Sequence, residues 1–303
     1  MNGVLVVDKP RGGTSFDVVR QVRRAARLRK VGHGGTLDPL ATGVLPICLG
    51  EATKLAQFLL DADKEYEVTL CLGVETDTYD ADGAVTARQP PANIDEVAVR
   101  AALPRFVGAI AQKPPVYSAL KRAGRPLYEY ARAGETVELA ERAVTVHHLE
   151  LLSFAGPEAV TLRVRCSKGT YVRSLVFDLG RALGPGAHVT ALRRTRSGPF
   201  SLEDAQSLPD TLRALEQGNP GLKLVSLSQA LSHLPRRCAG ETAARDLTHG
   251  KRVPWSALEA ADEHTDTDSW HRFQVLGPGG ALLAVAERRP DDTLRTLRVF
   301  NPG

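Results

Sequence analysis

The chain has 303 residues, of which 43% are hydrophobic and 24% charged, so it can form the core of one large domain or of two domains. This composition excludes an intrinsically disordered chain, and no run approaches the roughly 20 apolar residues that span a bilayer. The net charge of +4 at pH 7 permits a nucleic-acid partner without requiring one.

The cysteines are widely separated and form no Cys-x-x-Cys pair, which excludes the common spacing of a zinc site. The N-terminus lacks the basic region and the long apolar run of a signal peptide. We therefore expect reduced thiols, no bound metal, no membrane association and a cytoplasmic location. The cysteines are Cys48, Cys71, Cys166 and Cys238.

The first predicted elements are a strand that ends at Pro10 and a helix that begins with a capping-box-like pattern. Helical spacing places apolar residues on one face of this helix and basic residues on the other. The predicted apolar face consists of Phe16, Val19, Val22 and Ala26. The basic residues from here to the next loop are Arg20, Arg23, Arg24, Arg27, Arg29 and Lys30. A solvated helix face and an RNA-binding surface both fit this pattern.

The next segment, residues 33–43, surrounds the single carboxylate of Asp38 with glycines and threonines. Glycines allow the backbone to approach a ligand closely, and the Asp-Pro sequence places Asp38 on a loop rather than in a helix. An aspartate in such a loop is usually a turn residue, so its role depends on its partners.

Alternation predicts a strand over residues 65–72, with Tyr66 on its apolar face. Residues 76–83 superficially resemble a calcium loop, but the ligand positions do not match and a polar turn is expected. Asn93 is predicted to cap a helix that runs to about Val107. The charged stretch of about residues 113–143 is either an insertion that closes on a ligand or an ordinary surface excursion.

A pair of strands is predicted at 144–154 and 160–166, followed by a helix that begins near Ser174. Residues 201–235 have the composition of a connector, and the chain from Cys238 onward has the pattern of a small β-rich unit. Within that unit, an acidic loop is expected at 262–268.

Several reaction classes lack their motifs, namely nucleotide hydrolysis, dinucleotide redox chemistry, zinc proteolysis and α/β-hydrolase chemistry. Asp38 remains, together with Tyr66, Tyr171 and Arg173 near the ends of predicted strands. A carboxylate can act as a nucleophile at a sugar carbon or as a base, and an adjacent arginine would keep it ionised.

The segment His33-Gly-Gly-Thr-Leu-Asp-Pro-Leu-Ala-Thr-Gly-Val-Leu45 resembles the signature of the TruB-type tRNA pseudouridine synthases. Further segments of the family agree in the same order, and the resemblance covers roughly residues 3–200. These segments are Asp8-Lys9-Pro10 with Thr14-Ser15, 50–54, Asp77-Thr78 with Asp80 and Gly83, 114–121, and 169–173. The C-terminal unit is more loosely similar to a PUA-type RNA-binding module.

The resemblance implies a cofactor-free isomerase that converts a uridine in the T-arm of tRNA to pseudouridine. Asp38 would be the catalytic nucleophile or base, Arg173 its partner, and Tyr66 the residue that stacks on the flipped base. His33, Tyr171 and Leu192 would bind the substrate. The residues expected to contact RNA phosphates are Arg20, Arg24, Arg27, Lys30, Arg193 and Arg194.

We therefore expect an α+β fold, with a mixed, mostly antiparallel central sheet flanked by helices and a small PUA-like C-terminal module. The expected domains are 1–235, catalytic, and 236–303, RNA-binding, in a protein that acts as a monomer. Two alternatives stay open: a non-catalytic RNA-binding or tRNA-folding protein, and a glycosidase. A glycosidase usually needs a second carboxylate, and Asp77, Asp80 and Asp82 are predicted to be turn residues.

Overall fold

The structure is a computed structural model. It describes residues 1–118, 120–122, 124–133, 135, 137, 139–218, 221–260 and 272–301. The α-helices are α1 (Ser15–Ala25), α2 (Ala56–Asp61), α3 (Glu96–Ala102), α4 (Leu127–Arg132), α5 (Val172–Leu183), α6 (Leu208–Glu216) and α7 (Glu241–Thr248). Short 3₁₀ turns lie at Gly50–Leu55, Leu103–Phe106, Leu202–Asp204, Gln229–Leu231, Trp255–Ala257 and Pro278–Gly280. In the part of the chain that is described, no helix is long and apolar enough to cross a membrane.

Fifteen of the described strands lie before residue 226. They are β1 (Gly3–Lys9), β2 (Val31–His33), β3 (Thr42–Leu49), β4 (Lys64–Leu72), β5 (Val74–Thr76), β6 (Val85–Arg88), β7 (Gly108–Gln112), β8 (Lys121–Arg122), β9 (Arg125–Pro126), β10 (Arg142–Phe154), β11 (Val160–Cys166), β12 (Ala187–Ser197), β13 (Phe200–Ser201), β14 (Gln206–Ser207) and β15 (Leu224–Val225). The C-terminal strands are β16 (Arg236–Ala239), β17 (Leu258–Ala260), β18 (Phe273–Leu276), β19 (Leu282–Arg288) and β20 (Leu294–Val299).

The main sheet has the strand order β14-β1-β3-β12-β4-β11-β10-β7, with β2, β13 and β15 paired at its margins. Only the β1–β14 and β12–β3 pairs are parallel, so the predicted mixed, mostly antiparallel sheet is confirmed. Strand β12 lies at the centre, between β3 and β4, and therefore places residues 187–197 beside the loop that carries Asp38.

Helix α1 begins with the predicted capping box, in which Thr14 and Asp17 bind each other's backbone N–H groups. Its predicted apolar face is partly wrong, because Phe16 is 56% exposed while Val18 is buried. The buried face of α1 also contains Ser15, whose hydroxyl donates a hydrogen bond to the carbonyl oxygen of Leu37 and accepts one from its N–H. This contact turns the side of the helix that carries Ser15 toward the core.

Two other helix boundaries differ from the prediction. Helix α3 is capped by Asp95, whose side chain accepts a hydrogen bond from the N–H of Ala98, whereas Asn93 lies in the preceding turn with a positive φ of 62°. Helix α5 begins at Val172, two residues before the predicted start. Arg173 therefore lies in the first turn of α5.

The C-terminal sheet has the order β17-β16-β18-β19-β20, and its first strand begins at Arg236. Leu276, Val285 and Phe300 of this region share one buried cluster with Val4 and Val6 of the first strand. The C-terminal unit thus packs directly against the main sheet and is not connected to it by a linker alone. The predicted acidic loop at 262–268 lies outside the described residues.

Candidate functional site

Asp38 lies on the loop between β2 and β3, as the Asp-Pro sequence predicts. The glycine that closes this loop, Gly43, has a φ of +100°, and a Cβ there would lie 2.2 Å from the carbonyl oxygen of Arg194 on the neighbouring strand. Only glycine fits this close approach. The glycine-rich sequence therefore lets β3 and β12 come together directly below the aspartate.

Two buried cations hold the loop in place. The guanidinium of Arg194 donates to the carbonyl oxygens of Val44 (2.7 Å), Thr36 (3.1 Å) and Gly35 (3.2 Å). The ammonium of Lys9 donates to carbonyl oxygens on the other side of the loop, including that of Ala41 at 2.8 Å. Because each cation satisfies several buried carbonyls, the backbone on both sides of Asp38 is fixed.

Arg194 lies elsewhere than expected for a residue that contacts RNA phosphates. Its side chain is 1% exposed and its guanidinium is occupied by backbone carbonyls, so it does not present its charge to an RNA phosphate at the surface. The neighbouring Arg193 is half-buried and grips both carboxylate oxygens of Asp8, at 3.1 and 2.8 Å. In a strand, successive side chains point to opposite faces, which separates the roles of these two adjacent arginines.

Asp38 forms an ion pair with Arg173, whose Nε lies 2.9 Å from Oδ2. The Nε–H bond does not point at an acceptor closely enough for a hydrogen bond, so this contact is electrostatic. Arg173 is buried and its other nitrogens donate to the carbonyl oxygens of Thr78 (2.7 Å) and Tyr117 (2.9 Å). Within the described chain, Oδ1 of Asp38 has no hydrogen-bond partner, and the side chain is 34% exposed.

Asp80 forms a second ion pair with Arg173, in which Oδ2 of Asp80 lies 3.4 Å from Nη1 of the arginine. It is 5% exposed, and burial raises the pKa of its carboxyl group, an effect that hydrogen bonding from Thr78 and the charge of Arg173 oppose. The turn predicted at residues 76–83 is present, but Asp80 is a buried partner of Arg173 rather than a solvated turn residue. It does not line the cavity described next.

A cavity of about 310 Å³ opens beside Asp38 and is the point where the predicted catalytic residues meet. Tyr66 from β4 and Leu192 from β12 form one wall, and Tyr171 and Arg173 at the start of α5 form another. This volume lies at the lower end of the range for small-ligand sites. The described chain thus brings Asp38, Tyr66, Tyr171, Arg173 and Leu192 together around one pocket.

The two tyrosines remain neutral phenols in this setting. Burial raises the pKa of the Tyr66 hydroxyl above its ordinary value, while the adjacent Arg194 guanidinium acts in the opposite direction. Burial likewise raises the pKa of Tyr171. Both side chains therefore offer an aromatic face and a protonated hydroxyl at neutral pH.

His33 lies at the end of β2 and does not line the cavity. Its Nδ1 accepts a hydrogen bond from the N–H of Gly35 at 3.4 Å, and burial followed by the charge of Arg194 lowers the pKa of its imidazole. It is a neutral, half-buried side chain at the outer end of the Asp38 loop.

The remaining predicted RNA contacts lie on or just after α1 and are exposed: Arg20, Arg24, Arg27 and Lys30. Arg20 forms an ion pair with Asp17 one turn earlier on the helix. These side chains are available to a ligand, but none of them lines the cavity.

A family profile described as TruB family pseudouridylate synthase (N terminal domain) matches residues 23–172, and one described as tRNA pseudouridylate synthase B C-terminal domain matches residues 173–226. The tRNA pseudouridine synthase B of Burkholderia pseudomallei (strain 668) is 50% identical over 303 residues, which is 100% of this chain and 98% of that protein. The chain belongs to the TruB family.

Other TruB-family relatives and solved structures agree. The tRNA pseudouridine synthase B of Aromatoleum aromaticum (strain DSM 19018 / LMG 30748 / EbN1) is 53% identical over 236 residues, 78% of this chain and 76% of that protein. A chain in a crystal structure of a Cbf5-Nop10-Gar1 complex is 30% identical, with a TM-score of 0.77 over 99% of this chain and 85% of that one. A chain of an H/ACA RNP bound to a substrate RNA containing 2′-deoxyuridine is 28% identical, with a TM-score of 0.74 and the same coverage.

Sequence reasoning assigned no individual role to Lys9, Asp80 or Lys64. Lys64 lines the cavity and donates to the carbonyl oxygens of Leu60 and Ala62, each at 2.6 Å. A lysine or aspartate inside an otherwise apolar strand or turn pattern is a weak signal of burial. Which acceptors such a group meets depends on segments that are far away in the sequence.

Proposed function

We propose that this TruB-family chain isomerises a uridine in the T-arm of tRNA to pseudouridine, without a cofactor and with Asp38 as the catalytic residue. The observation that carries this proposal is the position of Asp38 beside the cavity, with one oxygen on the buried Arg173 and the other without a partner among the described residues. A carboxylate held in this way is oriented, while one oxygen stays available to the substrate.

The reaction rearranges one nucleotide. The bond between C1′ of the ribose and N1 of the uracil breaks, a bond between C1′ and C5 forms, the proton leaves C5, and N1 ends protonated. Asp38 either attacks the ribose or removes a proton from it while the glycosidic bond breaks. Both routes need the same ionised carboxylate, so the proposal leaves the choice open.

The base must leave the RNA stack before Asp38 can reach the sugar, because the glycosidic bond and C5 are inaccessible in a stacked nucleotide. We propose that Tyr66 stacks on the flipped base, that Tyr171 and Leu192 bind it, and that His33 contacts the RNA outside the cavity. The neutral hydroxyl of Tyr66 is suited to donate a hydrogen bond. The exposed residues Arg20, Arg24, Arg27 and Lys30, and the half-buried Arg193, would contact phosphates.

We propose a division into a catalytic domain of residues 1–235, with an RNA-contacting insertion at about 113–143, and a PUA-like RNA-binding domain of residues 236–303. The carbonyl of Tyr117 on Arg173 ties the start of the insertion to the site, which supports a role near the substrate. A cytoplasmic monomer is part of the same proposal, and the free thiols of the four cysteines are compatible with this compartment.

The glycosidase alternative requires a second carboxylate across the scissile bond. Asp80 is the other carboxylate that forms an ion pair with Arg173, but it does not line the cavity. The arrangement therefore favours a single-carboxylate reaction.

Tritium release from tRNA that contains 5-tritiated uridine tests the proposal. The native chain is expected to release tritium, and Asp38→Asn should reduce release by roughly 10³-fold or more while tRNA binding is retained. Asp82→Asn removes an exposed turn carboxylate and is the matched control, with release unchanged. Tritium release that does not depend on Asp38, or no release by the native chain, would favour the non-catalytic RNA-binding alternative.

The modified position is mapped separately. Carbodiimide labelling of pseudouridine followed by primer extension should give one stop, within the T-arm. A stop elsewhere would contradict the T-arm assignment while leaving the reaction intact.

A further inference from the structure

One cation in the C-terminal sheet lacks the partners that every buried cation of the catalytic sheet has. Arg237 on β16 is 8% exposed, yet no carboxylate in the described chain forms an ion pair with it. Its Nε is fully buried without a hydrogen-bond partner. A buried charge in this condition is strongly unfavourable unless an anion compensates it.

Arg237 is stacked on an indole. Its guanidinium carbon lies 4.1 Å from the centre of the Trp255 ring, and the guanidinium carbon of Arg288 on β19 lies 4.7 Å from the same ring. Trp255 is itself buried and packs edge-on against Phe273 of β18. Three different elements therefore hold two guanidiniums against one rigid aromatic surface.

Two carboxylates of this sheet pair with arginines other than Arg237. Asp292 binds Arg288 at 2.7 Å, and Glu287 binds Arg272 and Arg295 at 3.2 and 3.4 Å. Burial and the charge of Arg288 both lower the pKa of Arg237, which means that the surroundings disfavour its positive charge. Arg237 itself therefore has no carboxylate partner among the described residues.

The accessible edge of the Arg237 guanidinium determines which ligands can bind to it. Only Nε of Arg237 is completely enclosed, so the two Nη nitrogens form the edge of the guanidinium from which an anion is reached. A planar guanidinium fork binds two oxygens of a phosphate in parallel, and the indole fixes the plane of the fork. A phosphate group meets the charge and the geometry of this edge.

We propose that Arg237, held in plane by Trp255, forms a phosphate-binding site in the C-terminal module, and that its ligand is a backbone phosphate of tRNA outside the T-arm. This inference rests on the proposed function for the identity of the RNA. The site belongs to a different sheet from the catalytic cavity, so it adds affinity for the full tRNA and takes no part in the reaction.

Thermal unfolding of the full chain with inorganic phosphate, against chloride at equal ionic strength, tests the anion site. Phosphate at about ten times its Kd should raise the Tm of the native chain by about 3 °C. Arg237→Met should lose this rise, and Arg237→Lys should keep only part of it. Arg236→Met is the control, because it removes the same charge from the opposite face of β16 and should keep the full rise.

The source of the phosphate is decided with RNA. Arg237→Met should weaken binding of full-length tRNA by about 3–10-fold and lower the salt dependence by about one phosphate contact, while turnover of an isolated T-arm hairpin stays unchanged. If the Tm rise depends on Arg237 but tRNA binding does not, the ligand is free phosphate.

Two results would overturn the site: no phosphate-specific Tm rise in the native chain, or a full rise in Arg237→Met. In the first case, replacing the acidic residues of 262–268 by amides would show whether the chain's own carboxylates are the partner of Arg237. Failure of the native chain to modify a T-arm hairpin would contradict the proposed function instead, and would leave the phosphate result standing.

Discussion

The two large sheets of this molecule bury cations in opposite ways. In the main sheet and helix α5 beside it, Lys9, Arg173 and Arg194 each contact two or more backbone carbonyls, and Arg173 also contacts two carboxylates. In the C-terminal sheet, Arg237 has an aromatic ring and a like charge as its neighbours. A cation that satisfies carbonyls holds a loop, whereas Arg237, which has no such acceptor in the described chain, is the cation that we propose binds an anion.

Arg173 should show the largest effect on activity. Arg173→Met leaves Asp38 without its counter-charge, so turnover is expected to fall by roughly 10³-fold while tRNA affinity changes little. Single-turnover kinetics and filter binding measure the two quantities. Arg181→Met, which removes an exposed arginine later on the same helix, is the control. A large loss of binding with normal turnover would contradict the role of Arg173.

Arg194 should show the largest effect on stability. Arg194→Met leaves three carbonyl acceptors without a donor, and we expect the free energy of unfolding to fall by roughly 3 kcal/mol or more in urea titration. Arg193→Met, one residue earlier and half-buried, should cost about 1 kcal/mol or less. Equal losses for the two variants would mean that the carbonyl contacts of Arg194 do not support the loop.

The buried lysines differ from the arginines because they can lose their proton. Burial lowers the pKa of Lys9 and of Lys64 from 10.5 to about 8, so near pH 8 to 9 the folded chain binds fewer protons than the unfolded chain. The free energy of unfolding is therefore expected to rise with pH in this window. At higher pH, burial of Cys48 acts in the opposite sense, because its pKa is raised from 9.0 to about 12.

Urea titration at closely spaced pH values measures this slope. Lys64→Met should remove about half of it, since two lysines with the same lowered pKa contribute. Lys54→Met, at a half-exposed lysine paired with Glu51, should leave the slope as it is. A slope that is the same in Lys64→Met and in the native chain would contradict the assignment.

Arg237 should show the smallest effect on stability, and in the opposite direction. In phosphate-free buffer, Arg237→Met is expected to leave the free energy of unfolding unchanged or to raise it by up to about 1 kcal/mol, because an uncompensated charge is replaced by an apolar side chain of similar length. A loss of more than about 2 kcal/mol would show that Arg237 is a structural residue like Arg194, and the contrast between the two sheets would disappear.

The sequence predicted much of the catalytic region because the relevant signals are local. The Asp-Pro pair and its glycines indicate a loop, the alternation around Tyr66 indicates a strand, and the capping box at Thr14 indicates a helix start. The resemblance in the ordered motifs then pointed to Asp38, Tyr66 and Arg173. The structure places these three residues around one cavity.

The predictions that failed concern the direction in which a side chain points. Phe16 and Val18 are both apolar, and only the packing of α1 decides which of them is buried. Arg193 and Arg194 are identical in type and adjacent in sequence, but β12 turns one toward Asp8 and the other into the core. No central strand was predicted here, so the alternation between these arginines could not be anticipated.

By itself, then, the sequence determined the loop that carries Asp38, the strand around Tyr66, the start of helix α1 and the family. The tertiary structure alone decided which charges are buried and what they meet, because their partners are distant in the chain: Asp80 and Tyr117 for Arg173, Gly35 and Val44 for Arg194, and Trp255 for Arg237. The free energy of a buried charge depends on these neighbours far more than on the residue type.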